Sequence, residues 1–260
     1  MEILDERIIT KAIVENFSKD FLDYTDCDVA IAGAGPSGAV AAYYLAKSSI
    51  KVVIYERKLS PGGGMWGGGM MFPYIVVQTE GKEILDEFDI SYNEYKPGYY
   101  VASSIEATSS ILSKSTKSGA KIFNTISIED VVIRENDKIE GFVLSWSATG
   151  IAKLHVDPLV IKSKVVVDAT GHDCEVCKIV CRKIGNKLNT STGTIMGEKP
   201  MWADMAEKHV EENTKEIYPN LFVTGMAANA AYGAPRMGPI FGGMLLSGKK
   251  VAELIIKKLK

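Results

Sequence analysis

The chain is poor in the residues that would mark several common classes. Among its 260 residues there are three histidines, three tryptophans and four cysteines. The cysteines (Cys27, Cys174, Cys177, Cys181) do not make a secreted disulfide framework at this size, and a cytoplasmic location suits them better. No charge of one sign dominates: 30 Lys and Arg against 32 Asp and Glu give a formal net charge of −2. That balance argues against a nucleic-acid partner, and no basic run points to a membrane surface. Apolar runs stop at strand length, so nothing spans a bilayer. Repeats and low-complexity stretches are missing too. What remains is a chain of 46% hydrophobic residues, enough for one substantial core or two small ones.

The most telling stretch is Gly33-Ala-Gly35-Pro-Ser-Gly38, which follows an apolar strand from Asp28 and opens a helix reaching Lys47. A second strand then ends in Glu56-Arg57, about 20 residues past the glycines. Each part has a mechanical job. Gly33 permits a tight turn, Gly35 lets backbone N–H groups approach a pyrophosphate, and Gly38 lets helix and sheet pack closely. The helix N-terminus turns its partial positive charge to the phosphates. Glu56 is placed to accept hydrogen bonds from an adenosine ribose. The order of strand, glycines, helix, strand and acid predicts an ADP-containing ligand.

Further along, residues 61–72 combine dense glycine with Trp66, Met70, Met71 and Phe72, a composition expected of backbone lying close to a ligand or of a lid. Residues 75–159 read as an inserted α+β region. It contains a helix over 102–118, a strand over 121–124 and a hairpin around Glu135–Lys138. Lys164-Val-Val-Val-Asp168 is the apolar run of a strand buried on both faces. A last strand at Leu221–Thr224 precedes a helix over 242–259. The predicted fold is α/β: a Rossmann-like dinucleotide-binding domain of the glutathione-reductase type, its core made of 27–74 and 160–260, with 75–159 inserted. Residues 1–26 form an N-terminal segment whose Ile8, Ile9, Ala12, Ile13, Phe17 and Phe21 predict an amphipathic helix covering something, not a targeting peptide.

Two of the three histidines sit in unusual settings. His155-Val156-Asp157-Pro158 reads as strand, with His155 and Asp157 on one side, and Gly171-His172-Asp173 follows a predicted strand end. Convergence of these imidazoles and carboxylates would allow metal binding or acid–base work, while purely structural histidines stay equally open. Cys174, Cys177 and Cys181 fall at i, i+3, i+7 after Gly-His-Asp, which places them on one helix face; burial is the plainer reading and a sulfur or metal role the sharper one.

A glycine-fingerprint domain interrupted by an insertion and closed by two further strands resembles the two-dinucleotide-binding flavoprotein superfamily. Ala169-Thr170-Gly171 matches that superfamily, but its flavin-anchoring Gly-Asp is replaced by Gly225-Met226. Taken in order, Gly33–Gly38, Glu56-Arg57, Pro61–Gly64, Asp157-Pro158, Thr170–Asp173 and Arg236-Met237-Gly238-Pro239 resemble the thiamine thiazole synthase family, specifically its archaeal-type members. The resemblance implies a transferase that consumes NAD, joins its ADP-ribose to glycine and sulfide, and forms an adenylated thiazole carboxylate, a thiamine precursor. It further implies NAD contacts at Gly33, Gly35, Ser37, Gly38, Glu56, Arg57, Gly64, Ile128, His155, Val156 and Met226. Arg236, bracketed by prolines, would take the glycine carboxylate, and Asp157 and His172 would hold iron(II) without any flavin. The family's eukaryotic members surrender sulfur from a cysteine at the position of His155. An imidazole there implies free sulfide and repeated turnover, with His155, Asp157 and His172 catalytic. Family members form octamers with sites shared between subunits. A flavin-dependent oxidoreductase of the same fold and a non-catalytic NAD or ADP-ribose binder are the alternatives.

Overall fold

The computed structural model describes residues 4–134 and 137–260. Helix α1 (Glu6–Asp23) is capped by Asp5, whose side chain accepts from the Arg7 N–H at 2.9 Å. No residue of α1 is buried. Only its last turns find a partner: Phe17 and Phe21 meet Phe123 at ring separations of 5.7 and 5.5 Å, and Phe17 meets Trp146 at 5.8 Å. Ile8, Ile9 and Ile13 stay exposed, so the helix expected to cover something covers it with one end.

Strand β1 (Asp26–Ala32), helix α2 (Pro36–Lys47) and strand β2 (Val52–Glu56) form the expected βαβ unit. Beyond a short 3-10 turn (Gly63–Gly67), β3 (Tyr74–Val77), α3 (Lys82–Glu87), β4 (Tyr92–Lys96) and β5 (Tyr99–Ser103) build a separate antiparallel sheet in the order β3-β5-β4. Helix α4 (Ser104–Lys117) leads to β6 (Lys121–Asn124), which pairs parallel to β2. Next come the antiparallel pair β7 (Ile126–Ile133) and β8 (Ile139–Trp146) and the short α5 (Ser147–Ala152). The predicted hairpin is present, although Glu135 and Asn136 of its expected turn lie outside the described residues. Within the stretch 75–159, β6 and β8 hydrogen-bond into the main sheet.

Strand β9 (Leu159–Asp168) is the spine of that sheet. Its length is parallel to β1 on one side, and on the other it meets β8 first and then β11 (Leu221–Val223). Between them the chain forms α6 (Glu175–Ile184), α7 (Ala203–Asn213) and β10 (Lys215–Tyr218), then closes with α8 (Met226–Tyr232) and α9 (Gly242–Leu259). The main sheet runs β10-β11-β9-β1-β2-β6.

Strand alternation divides the core between the two faces. Val29, Ile31, Val165 and Val167 pack with Ala41, Leu45, Val251 and Ile255 of α2 and α9. Ala30, Ala32 and Val166 face Val176, Val180, Ala227 and Phe142 on the other side. Both faces being covered explains the run of three valines, Val165–Val167, in β9. From β1 the chain adds β2 on one side and later β9, also parallel, on the other, so the carboxyl ends of β1 and β9 frame a crevice at this switch in strand order.

Two glycines fix the entry to that crevice. Gly33 has φ +98°, and a Cβ there would sit 2.6 Å from the Ala169 carbonyl oxygen. A Cβ on Gly38 would lie 2.2 Å from the Gly33 carbonyl oxygen. Gly38→Ala should therefore destabilise the protein by about 1–3 kcal/mol through overpacking. Denaturant unfolding beside the parent protein checks this, and an unchanged midpoint would contradict it.

Candidate functional site: a crevice with a histidine and an arginine at its walls

A cavity of about 1070 Å³ opens at the carboxyl ends of β1, β2 and β9. Gly33, Gly35, Ser37, Glu56, Arg57, Gly64, Ile128, His172, Met226 and Arg236 all line it, so most of the residues singled out in the sequence share one space. Gly38 lies behind the wall, where it lets α2 approach β1. The N-terminus of α2 has no side-chain cap, and Pro36 stands in its first turn, so its free N–H groups remain available for an anion.

Glu56 is 7% exposed and already doubly held. Its Oε2 accepts from the Ala34 N–H at 2.9 Å and its Oε1 from the Lys58 N–H at 2.9 Å. Each carboxylate oxygen keeps a further acceptor position, which suits two ribose hydroxyls. Arg57 is occupied by protein partners: its guanidinium pairs with Asp173 at 3.2 Å and with Glu175. It thereby ties the end of β2 to the loop after β9.

That loop is organised by Asp168, a residue the sequence reading passed over as a strand end. Asp168 is fully buried. Its Oδ1 accepts from the Thr170 N–H at 3.0 Å and the Thr170 hydroxyl at 2.6 Å, and its Oδ2 from the Cys177 N–H at 3.0 Å. The Thr170 Oγ1 in turn accepts from the Glu175 N–H at 2.7 Å. The Ala-Thr-Gly motif is thus a clamp on the start of α6. A carboxylate closing an all-apolar strand was the available signal, since such a group must find donors.

Cys174 precedes α6 with φ +48° instead of lying on it, and its thiol donates to the Ala227 carbonyl at 3.4 Å. The polar atoms of Asp168, Cys174 and Cys177 lie within 4.8 Å of one another, the one grouping of three metal-capable donors among the described residues. Each of the three is buried, and Asp168 already accepts three hydrogen bonds. The hydrogen bond with Cys174 and full burial push the Cys177 thiol well above the usual thiol range. These thiols read as core.

His172 stands on a 3-10 turn (Gly171–Asp173) at the cavity wall. Its Nδ1 lies 2.7 and 2.9 Å from the two carboxylate oxygens of Glu198, a partner 26 residues away that no local pattern announced. Glu198 belongs to a strap of extended chain: the Met196 and Gly197 N–H groups donate to the Ala231 and Ala230 carbonyls, and Lys199 donates to Ala234. The same strap holds Arg236, whose N–H donates to Lys199 and whose carbonyl accepts from Trp202, each at 3.0–3.1 Å.

His155, Val156 and Asp157 are placed differently from expectation. They lie not on a strand but in an irregular exposed stretch between α5 and β9, and they are not among the cavity's lining residues. Lys153, at φ +54°, ends α5, and no neighbouring strand reaches residues 154–158, so the alternation of His-Val-Asp has no buried face to settle on. Within one chain, the expected convergence of His155 and Asp157 with His172 and Asp173 does not occur.

A Rossmann-like α/β sheet with a glycine cradle, an uncapped helix N-terminus and a terminal acid defines the flavoprotein-superfamily fold. A geranylgeranyl bacteriochlorophyll reductase-like protein from Thermoplasma acidophilum shares that fold at a TM-score of 0.57 and 15% identity, over 90% of this chain and 79% of that one. The chain belongs to the Thi4 family, whose sequence pattern matches residues 10–241. It is 61% identical over 257 residues to the thiamine thiazole synthase of Methanothermobacter thermautotrophicus, covering 99% of each. The crystal structure of Thermovibrio ammonificans THI4 is similar to it at a TM-score of 0.96 and 51% identity, over 99% of both chains.

The ribose-binding role expected of Glu56 is tested by Glu56→Gln, which on that expectation weakens NAD binding about tenfold, the effect of losing one charge-assisted acceptor. Calorimetry reads this directly, and unchanged affinity would mean that Glu56 does not face the ribose. Cys174 and Cys177 should resist a thiol reagent in the native protein and react once it is unfolded, which mass spectrometry of the labelled peptides will report.

Proposed function

We propose that this protein is a thiamine thiazole synthase, an enzyme that consumes NAD and builds an adenylated thiazole carboxylate from it with glycine and sulfide. One observation carries the reading. A single cavity joins the ADP cradle of Gly33, Gly35 and Glu56 to His172 and Arg236. In this reading the N-terminus of α2 holds the pyrophosphate and Glu56 the adenosine ribose. Nicotinamide leaves, the opened ribose isomerises to a ketone, and glycine condenses with it while Arg236 holds the carboxylate through its two-pronged guanidinium. Met226 stands in the cavity wall where flavoproteins carry the ribityl-binding acid, which favours NAD as substrate over a resident flavin.

An imidazole nitrogen and a carboxylate oxygen are a donor set that suits iron(II), so His172 and Asp157 would hold it. Bound there, iron supplies Lewis acidity and a place for sulfide. Asp157 sits outside the cavity that His172 lines, so we read the complete site as shared between subunits of a homo-octamer. Ile151, Leu154, Val156 and Val160, all exposed around Asp157, give that stretch the apolar character of a contact. His155 travels with it as a base near the imine. No helix among the described residues is long and apolar enough to cross a membrane, and we place the enzyme in the cytoplasm.

Thiazole formation should require added sulfide and iron(II), over several turnovers, and the recovered protein should keep the mass of every sulfur atom. Asp157→Ala and His172→Ala should each stop thiazole formation and spare nicotinamide release. Mixed assemblies of the two variants should regain part of the activity, because some sites would then combine an intact Asp157 with an intact His172. Sulfide-independent product with a cysteine converted to dehydroalanine would overturn the proposal.

A further inference from the structure

The His172–Glu198 contact has a geometry that an ordinary surface ion pair lacks. A pair of exposed side chains on mobile backbone contributes little and holds no fixed orientation. Here the Glu198 side chain is only 18% exposed, and its backbone neighbours Met196, Gly197 and Lys199 are bonded to the end of α8 and the loop after it. His172 is equally constrained from its own side. Its turn hangs from the Asp168–Thr170 clamp, and the next residue, Asp173, is paired with Arg57. Two independently anchored segments therefore meet at one hydrogen bond.

The chemistry of that bond is one-sided. A carboxylate only accepts, so the proton must sit on the His172 Nδ1, shared between the two oxygens at 2.7 and 2.9 Å. A neutral imidazole protonated at Nδ1 carries its lone pair on Nε2. We propose that Glu198 is a positioning residue: it locks His172 as the Nδ1–H tautomer, fixes the ring plane, and keeps Nε2 as the ligand atom. The inference rests on the reading of His172 as a metal ligand. Metal-binding histidines commonly donate their second N–H to a carboxylate, and loss of such a partner lowers metal affinity about 10–100-fold.

The test uses the intact assembled protein, with cobalt(II) as the probe. Glu198→Ala and Glu198→Gln are compared with the parent and with His172→Ala. Glu198→Ala should bind cobalt(II) about 10–100-fold more weakly in titrations followed by visible absorption, and Glu198→Gln, whose side-chain carbonyl still accepts from Nδ1, should fall between it and the parent, with NAD affinity unchanged in both. Ring ¹⁵N spectra of the metal-free protein, simplified by its three histidines, should show the Nδ1–H form for His172 in the parent and lose it in Glu198→Ala. A general structural role would weaken NAD binding as well and would overturn the inference. So would parental cobalt affinity and an unchanged tautomer in Glu198→Ala while His172→Ala loses the metal; the ligand assignment would then survive without its support. If His172→Ala also binds cobalt(II) as the parent does, the metal reading itself fails.

Discussion

The buried carboxylate of Asp168 is the constraint on which the site depends. A charge at the end of a strand covered on both faces is tolerable only when it is hydrogen-bonded, and three donors from Thr170 and Cys177 reach both of its oxygens. Those donors all belong to the segment that follows, so satisfying the charge dictates how the chain leaves the sheet. The start of α6, the turn bearing His172 and the pairing of Asp173 and Glu175 with Arg57 all follow from it. One electrostatic requirement thus connects the carboxyl end of β9 to that of β2, the two ends between which β1 delivers its glycines.

The opposite wall has a different origin. Arg236 and Glu198 lie far apart in sequence from the cradle, on two extended pieces of chain laced together between α6 and α9. Their backbones are hydrogen-bonded to each other through Lys199, so the guanidinium and the carboxylate that meets His172 are parts of one rigid piece. The glycine-cradle side of the cavity is built by local sequence, the Arg236–Glu198 side by contacts over long separations. A fold that held dinucleotides could therefore acquire new chemistry on one wall while leaving the other alone.

The sequence declared the first wall by local pattern, and of the second only Arg236, through family resemblance. Glycines at fixed spacing, a run of valines and an acid closing a strand are local patterns with local causes, and β1, α2, β2, β6, β9, the β7–β8 hairpin and α9 all fall where the patterns put them. Asp168 was readable in principle, because an acid after Val-Val-Val demands donors, but its partners are invisible until the turn is built. Glu198 has no periodicity around it and gains meaning only from His172. His155-Val156-Asp157 misled for a stated physical reason: alternation carries information only when one face is buried, and here neither is. The pairing of β6 with β2 likewise depends on sheet topology, which no window of sequence contains.

The three fingerprint glycines, finally, are not equivalent. Gly33 and Gly38 are demanded by the fold, one by its left-handed backbone and both by carbonyls pressed against them. Gly35 has φ −70° and ψ −179°, a conformation open to any residue, and a Cβ there would meet no protein atom within 4 Å. Nothing in the protein itself asks for glycine at position 35; under the proposed function the nucleotide does. A methyl group added at that one point would occupy the guest's room without disturbing the house, so loss of ligand binding and loss of structure are separable here. In a drifting lineage this is the position at which the protein would fall silent while continuing to fold.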